Sequence, residues 1–322
     1  MIKKSVIVGY VLSRRSFRAP QSVIPGLQAC PGMIEAGGIQ WLSIKLWIPA
    51  FAGMTNFRNV LYAVVIASIG LLSACGTMPN GRGWGQDATL APGWDRLGQA
   101  AWNAARSPAT WGPAAGALAL QIDNADRNVV EWAARENPVF SSRKNASRMS
   151  DYLLDASGVI WVASMAAAPS GDRLGEWSIA KAKGAGVQTG AGILKRATVG
   201  FLKQNTGRSR PAGGQGSFPS AHASGAALYA TFAAANGETS GWSRSAVTAS
   251  NIGLGAVTAA TAWARVEANF HYPSDVLAGV AIGRFFGVFF TDAFLGLDNP
   301  GNAMVLFEPS REGAVALVRF NF

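Results

Sequence analysis

The stretch ARVEANFHYPSD, residues 264–275, contains one of the two histidines in the chain and places charged residues around it. Pro273 is typical of a first helical position, so His271 is predicted to lie just before a helix. Asp275 then falls in the first turn, where the helix dipole favours a carboxylate. This geometry predicts a hydrogen bond between Asp275 and one ring nitrogen of His271, which would leave the other nitrogen free for attack. Taken alone, the segment also fits a capping Asp beside an incidental His.

The other histidine ends the stretch FPSAH, residues 218–222, and an Ala-rich helical pattern follows it. Pro219 is predicted to lie in the first turn of that helix, where free backbone N–H groups form an anion site. Ser220 can add a hydroxyl donor, and His222 can hold or release a proton beside the bound anion. An isolated histidine is nevertheless more often a core or helix-terminal residue.

A third segment holds Lys203 and, seven positions later, Arg210-Pro211. Two permanent cations at this spacing lie near one helical face and can bind one anion together. An isolated pair at this spacing is more typical of a solvated helix face.

Together the three segments resemble the motif set of the type 2 phosphatidic acid phosphatase superfamily: Lys-x6-Arg-Pro, Pro-Ser-Gly-His and Ser-Arg-x5-His-x3-Asp. The resemblance spans residues 203–275 and implies an all-α fold built on a helical bundle. Two positions depart from the pattern, because Ala221 stands where the family has Gly and Ala264 where it has Ser. These departures affect the expected rate and substrate fit rather than the reaction class.

The resemblance implies a phosphatase that needs no metal or other cofactor and acts through a phosphohistidine. His271 would be the nucleophile, Asp275 would orient it, and His222 would protonate the leaving oxygen and later activate water. The implied phosphate-binding positions are Lys203, Arg210, Ser220, Ala221 and Arg265. Three cations would then supply the charge neutralisation that phosphoryl transfer requires.

Two other functions fit the same residues. A vanadium-dependent haloperoxidase would use a similar site with His271 as the metal ligand. A non-catalytic envelope lipoprotein would use the site only to bind phosphorylated ligands. The substrate class also stays open, because lipid phosphates, isoprenoid pyrophosphates and small soluble esters present the same phosphoryl group.

A signal sequence is predicted ahead of this region. From Met54 the chain has a short charged segment, the apolar run of residues 60–72, and then Leu72-Ser73-Ala74-Cys75. This pattern resembles a bacterial lipoprotein signal in which Cys75 is lipidated. The expected location is therefore the cell envelope, on the periplasmic side, with the protein anchored to a membrane by lipid.

The chain divides into five predicted parts. Residues 1–53 are expected to precede the true start, 54–74 to be the signal peptide, and 75–92 to be a Gly- and Pro-rich tether. A helical phosphatase domain over 93–295 and a β-prone tail over 296–322 follow. Two short segments of the tail predict a hairpin.

Composition narrows the possible partners. The formal charge is +10, but residues 1–74 hold 7 of the 28 Lys and Arg and 1 of the 18 acids, which leaves +4 for the rest. No basic run with interleaved aromatics appears, so no nucleic-acid partner is predicted. The two cysteines, Cys30 and Cys75, have no metal-binding spacing, so no zinc site is predicted either.

Apolar spacing predicts helices near residues 95–106, 113–136, 151–167, 175–204, 220–236, 243–264 and 274–293. The uncharged stretch 246–264 is long enough to raise the question of a membrane span, but Thr, Ser, Asn and Gly dilute it. A buried core helix is therefore the preferred interpretation, and oligomeric state is not predicted.

Overall fold

The computed structural model describes residues 76–297 and the backbone of two strands further on. Predictions on residues 1–75, which include the lipidation of Cys75, lie outside the described residues. The body is all-α, as predicted. Its helices are α1 (Trp94–Arg106), α2 (Pro108–Ala119), α3 (Ala125–Glu136), α4 (Arg143–Ala167), α5 (Leu174–Thr206), α6 (Ala221–Glu238), α7 (Arg244–Glu267) and α8 (Pro273–Phe290). A short 3-10 turn at Ile122–Asn124 precedes α3, and a π-helical turn at Thr291–Leu295 extends α8.

Two predicted helix boundaries are wrong. The single helix expected over 113–136 is broken because Asp123 and Asn124 adopt positive φ angles of 52° and 58°, which a continuous right-handed helix does not allow. The helix expected from residue 151 begins at Arg143, because Ser142 caps it by accepting a hydrogen bond from the N–H of Asn145 at 3.1 Å.

Helix α6 lies at the centre of the body and packs in parallel against α8 through glycines. A Cβ atom at Gly279 would lie 2.6 Å from the carbonyl oxygen of Ser220, and one at Gly283 would lie 2.3 Å from that of Ser224. Only glycine permits this approach, because the opposing atoms belong to backbone. The contact holds the N-terminal ends of α6 and α8 side by side.

The segment predicted to be a flexible tether instead packs against the helices from residue 76 onward. Trp84 is fully buried, its ring lies against Gly184 of α5, and its Nε1–H donates to Asn236 Oδ1 of α6 at 3.0 Å. Gly76 exchanges backbone hydrogen bonds with Gly171, just before α5. The tether prediction is wrong for these residues, because one large aromatic side chain with a matching site holds an otherwise Gly- and Pro-rich stretch.

One helical stretch among the described residues, Pro273–Leu295, is long and apolar enough to cross a membrane by length and composition. Half of its most apolar window is buried inside the protein, and the core helix of a soluble protein meets the same criterion. The uncharged stretch 246–264 lies within α7 and does not meet it.

Two strands follow in the tail. Strand β1 (Met304–Ser310) pairs antiparallel with β2 (Gly313–Arg319), so that Met304 lies opposite Arg319 and Ser310 opposite Gly313.

Candidate active site

Two loops and two helix N-termini form one site. The loop between α5 and α6 meets the loop between α7 and α8 through a hydrogen bond from the N–H of Ala212 to the carbonyl of Asn269 at 3.1 Å. The N–H of Ser220 donates to the backbone carbonyl of Asp275 at 3.0 Å. The three segments that the sequence analysis singled out are thus brought together.

His271 is 2 % exposed, and its ring is held by backbone. Its Nδ1 lies 2.7 Å from the carbonyl oxygen of Ser217. Because a carbonyl can only accept, Nδ1 carries the proton and Nε2 keeps a free lone pair in the neutral ring. Burial lowers the pKa of His271 to about 4, and the charges of Arg265 and Lys203 lower it as well. The ring is therefore neutral over most of the pH range, as a nitrogen nucleophile requires.

The hydrogen-bond partner predicted for His271 needs correction. Asp275 Oδ2 lies 3.8 Å from His271 Nδ1, which is close enough for an ion pair but too long for a hydrogen bond. The Asp275 carboxylate instead accepts from the Ser217 hydroxyl and from the N–H of Tyr272 at 2.9 Å. Asp275 thus holds Ser217, whose carbonyl orients the imidazole of His271. Its carboxylate also places a negative charge near that ring.

Asp275 is fully buried and yet ionised. Burial by itself would raise its pKa, but nearby His271, the hydrogen bonds from Ser217 and Tyr272, and the charge of Arg208 together lower that pKa below its usual value. Its position in the first turn of α8 is as predicted, with Pro273 as the first helical residue.

Arg208 is a site residue that the sequence analysis missed. Its guanidinium donates to Asp275 Oδ1 at 2.8 Å, to Asp126 Oδ2 at 2.6 Å and to the hydroxyl of Ser274 at 2.8 Å. It also stacks over the ring of Tyr272 at 4.4 Å. Asp126, from α3, accepts the N–H of Ser274 at 2.8 Å. This network joins α3, the α5–α6 loop and the start of α8.

Lys203, Arg210 and Arg265 form the cationic side of the site. Burial lowers the pKa of Lys203 to about 8, and the neighbouring charges of Arg210 and Arg265 also lower it, while Asp275 raises it. The pKa of Arg265 falls to about 10 through burial, against the charge of Asp151. Among the described residues, no acceptor lies within hydrogen-bond distance of the buried Nε of Arg210 or of Arg265. Unsatisfied buried donors on clustered cations are suited to an anionic ligand.

Helix α6 begins one residue later than the predicted start at residue 220. Ser220 is the N-cap and accepts from the N–H of Ala223 at 3.4 Å, so α6 begins at Ala221 and Pro219 lies outside the helix. The hydroxyl proton of Ser220 is still available for donation, and the first N–H groups of α6 begin at Ala221.

His222 is the second residue of α6. Its Nε2 lies 2.8 Å from Asp151 Oδ1 of α4, a residue that the sequence analysis did not single out. Burial and the charge of Arg265 lower the pKa of His222, while Asp151 and Asp155 raise it. The pair lies beside Arg265, at the edge of the cationic cluster.

A phosphoryl group fits this arrangement in chemical terms. The cations and the N-terminus of α6 can bind its oxygens, one neutral imidazole can attack phosphorus, and a second imidazole can transfer a proton. Within residues 76–297, no cluster of His, Cys, Asp and Glu is suited to hold a metal ion.

Comparison with known proteins gives one family. The family model described as the PAP2 superfamily, that is, type 2 phosphatidic acid phosphatases, matches residues 195–296. Among solved structures, the chain is similar to a transmembrane PAP2-type phosphatidylglycerolphosphate phosphatase from Bacillus subtilis, with 17 % identity and a TM-score of 0.44. The similarity covers 58 % of this chain and 94 % of that one. A search of curated proteins finds no match. Residues 195–296 of the chain therefore match the PAP2 superfamily model.

Proposed function

We propose that this protein is a phosphatase that hydrolyses phosphate monoesters or lipid (pyro)phosphates through a phosphohistidine on His271. The observation that carries the proposal is the hydrogen bond between His271 Nδ1 and the carbonyl of Ser217. It leaves the Nε2 lone pair free in a buried site that Lys203 and Arg265 make electropositive.

The reaction has two balanced steps. In the first, His271 Nε2 attacks phosphorus, the bond from phosphorus to the leaving oxygen breaks, and His222 gives its proton to that oxygen. In the second, His222 takes a proton from water, the resulting hydroxide attacks phosphorus, and the bond to Nε2 breaks. Phosphate leaves, and both histidines return to their starting states.

The other residues act by charge and position. Lys203, Arg210 and Arg265 bind the phosphoryl oxygens, and the Ser220 hydroxyl with the backbone N–H of Ala221 adds neutral donors. Asp275 balances the positive charge that develops on His271. Because three cations supply the neutralisation, no step in this scheme uses a metal ion.

The decisive experiment traps the intermediate. Wild-type protein mixed briefly with a 32P-labelled substrate and quenched without acid should carry an acid-labile, base-stable label, which His271→Ala removes. His222→Ala is the matched variant, because with an aryl phosphate it should still form the label but release it slowly. Undiminished labelling or turnover in His271→Ala would contradict the proposal. So would activity that disappears after chelation and returns only with a divalent metal.

The proposed location is the periplasmic face of a bacterial membrane, with a lipid on Cys75. The signal pattern of residues 54–74 supports it. Because Gly76 is hydrogen-bonded beside the start of α5, a lipid on the preceding residue would hold the folded body close to the bilayer. Labelling with a fatty-acid probe should be lost in Cys75→Ser, and an unlabelled wild type in the membrane fraction would exclude lipidation.

The substrate class follows from a direct comparison. A long-chain lipid phosphate, an isoprenoid pyrophosphate and a small soluble phosphate ester should be offered to the same preparation. The ratio of their kcat/KM values identifies the preferred class, and absence of turnover on all three would contradict the proposed function.

A further inference from the structure

The imidazole of His222 is held by a carboxylate from outside the matching segment. Asp151 Oδ1, on α4, lies 2.8 Å from His222 Nε2, and within the described residues no partner lies at hydrogen-bond distance from Nδ1. The two side chains are 26 % and 58 % exposed, so the pair lies at the solvent edge of the site. Helix α4 ends at Ala167, before the segment 195–296 that the family model matches.

We propose that Asp151 is a positioning residue that orients His222 through its Nε2 and favours the protonated ring, so that the Nδ1–H is directed to the leaving oxygen. The proposal rests on the phosphatase function proposed above. It assigns to α4 a part in proton transfer that the motifs of the matching segment do not contain.

The need for such a partner follows from the charges around His222. Arg265 faces it from α7, and Asp151 and Asp155 face it from α4. Burial and Arg265 lower the pKa of His222, and its place at the N-terminus of α6 also disfavours a positive charge. Asp151 opposes these effects through both its hydrogen bond and its charge, and Asp155 opposes them by charge alone.

The same end of α4 also supports the neighbouring cation. Ser150, which is fully buried, accepts a hydrogen bond from Arg265 Nη1 at 3.1 Å. The charge of Asp151 also raises the pKa of Arg265. Consecutive residues of α4 thus contact the proposed proton donor and a proposed phosphate-binding residue, which fixes their relative positions.

The sharpest test measures the proton on His222 directly. The chain has 2 histidines, so His271→Gln assigns both sets of imidazole NMR signals. Asp151→Asn keeps an oxygen acceptor but removes the charge, and it should lower the pKa of His222 by about one unit. Asp155→Asn is the matched control on the same helix, and its shift should be smaller because no hydrogen bond joins it to the ring.

Kinetics separate a positioning role from a merely structural one. In Asp151→Asn the alkaline limb of the pH profile should move to lower pH by the same amount as the NMR titration. Above that limb, turnover of an alkyl phosphate should fall by up to about tenfold, the effect of one pKa unit on the protonated fraction. An aryl phosphate, whose leaving group needs less protonation, should lose less. In a His222→Ala background, Asp151→Asn should cause no further loss that differs between the alkyl and the aryl phosphate.

The outcomes are distinguishable. An active wild type in which Asp151→Asn and Asp155→Asn give the same titration and the same pH profile overturns the role of Asp151 and leaves the phosphatase function standing. A wild type with no turnover on any phosphate ester overturns the phosphatase function, and the role of Asp151 with it, whatever the titration shows.

Discussion

Replacing Arg208 by Ala tests whether the buried network behind the site is essential to the fold. Arg208 joins Asp126 and Asp275, which are 6 % and 0 % exposed, whereas its own side chain is 28 % exposed. Removing one partner of a buried ion pair costs about 3–5 kcal/mol, because the other charge is left without compensation. The partial exposure of Arg208 places the expected loss near the lower end, at about 3 kcal/mol.

The chain offers a matched control in Arg127. Its ion pair with Glu131 has a similar distance, 2.9 Å, but the two side chains are 72 % and 62 % exposed. An exposed pair of this kind contributes about 0.3–0.5 kcal/mol. For a folded body of this size, Arg208→Ala should lower the melting temperature by about 6 to 12 °C and Arg127→Ala by about 1 to 2 °C.

The stability loss caused by Arg208→Ala should depend on pH. In the wild type the pKa of Asp275 is lowered, so its contribution to stability is complete above its unfolded pKa and disappears as the pH falls. Without Arg208 the buried carboxylate is destabilising when charged, so its folded pKa should rise. The difference between Arg208→Ala and the wild type should then shrink between pH 7.5 and pH 5.

The assay is urea unfolding at those two pH values, with Asp126→Asn as a second perturbation. Because Asp126 and Arg208 share a hydrogen bond, the double variant should be more stable than the sum of the single losses predicts, by about 1 kcal/mol or more. The reasoning is refuted if Arg208→Ala costs no more than Arg127→Ala, or if its cost is the same at both pH values.

Three further predictions concern the site and its scaffold. The acidic limb of kcat/KM should lie at about pH 4, the pKa of His271, because the ring must be neutral to attack; a limb near 6.5 in a pH–rate series would contradict this. Gly279→Ala should reduce both turnover and melting temperature, because its Cβ would meet the Ser220 carbonyl. Gly253→Ala in α7 should be neutral or stabilising, because among the described residues no atom outside the backbone of its own helix lies within 4 Å of the new Cβ. Trp84→Ala should cost about 3–5 kcal/mol in urea unfolding, and a loss below 1 kcal/mol would show that residues 76–92 contribute little to the fold.

The sequence predicted the helical class, and the three short segments with fixed internal spacings lie together in the candidate site. His271, Pro273 and Asp275 are close in the chain, so their order along the start of α8 follows from local rules. The missing hydrogen bond between His271 and Asp275 was not predictable in this way. It depends on the path of the α5–α6 loop, which brings the Ser217 carbonyl to the ring nitrogen first.

Long-range contacts explain the other misses. Arg208 lies inside the six-residue spacer of the first motif, where an arginine has no local signature, and its partner Asp126 is 82 positions away. Asp151 precedes His222 by 71 positions. Its sequence context is that of an ordinary exposed acid on an amphipathic helix. A sequence pattern identifies groups that share a loop or a helix face, but not groups that only the folded chain brings together.

The ion pairs of Arg208 with Asp126 and Asp275 distinguish Arg208 from the three other cations of the site. Arg208 has two carboxylate partners, so its charge is balanced within the protein and is not available to a ligand. Within residues 76–297, no acceptor lies within hydrogen-bond distance of the buried Nε–H of Arg210 or of Arg265, and burial beside like charges lowers the pKa of Lys203. A phosphoryl group would supply the missing acceptors and negative charge together. Arg208 thus helps to keep Asp275 ionised near His271. Lys203, Arg210 and Arg265 are then available to bind the anion that His271 is proposed to attack.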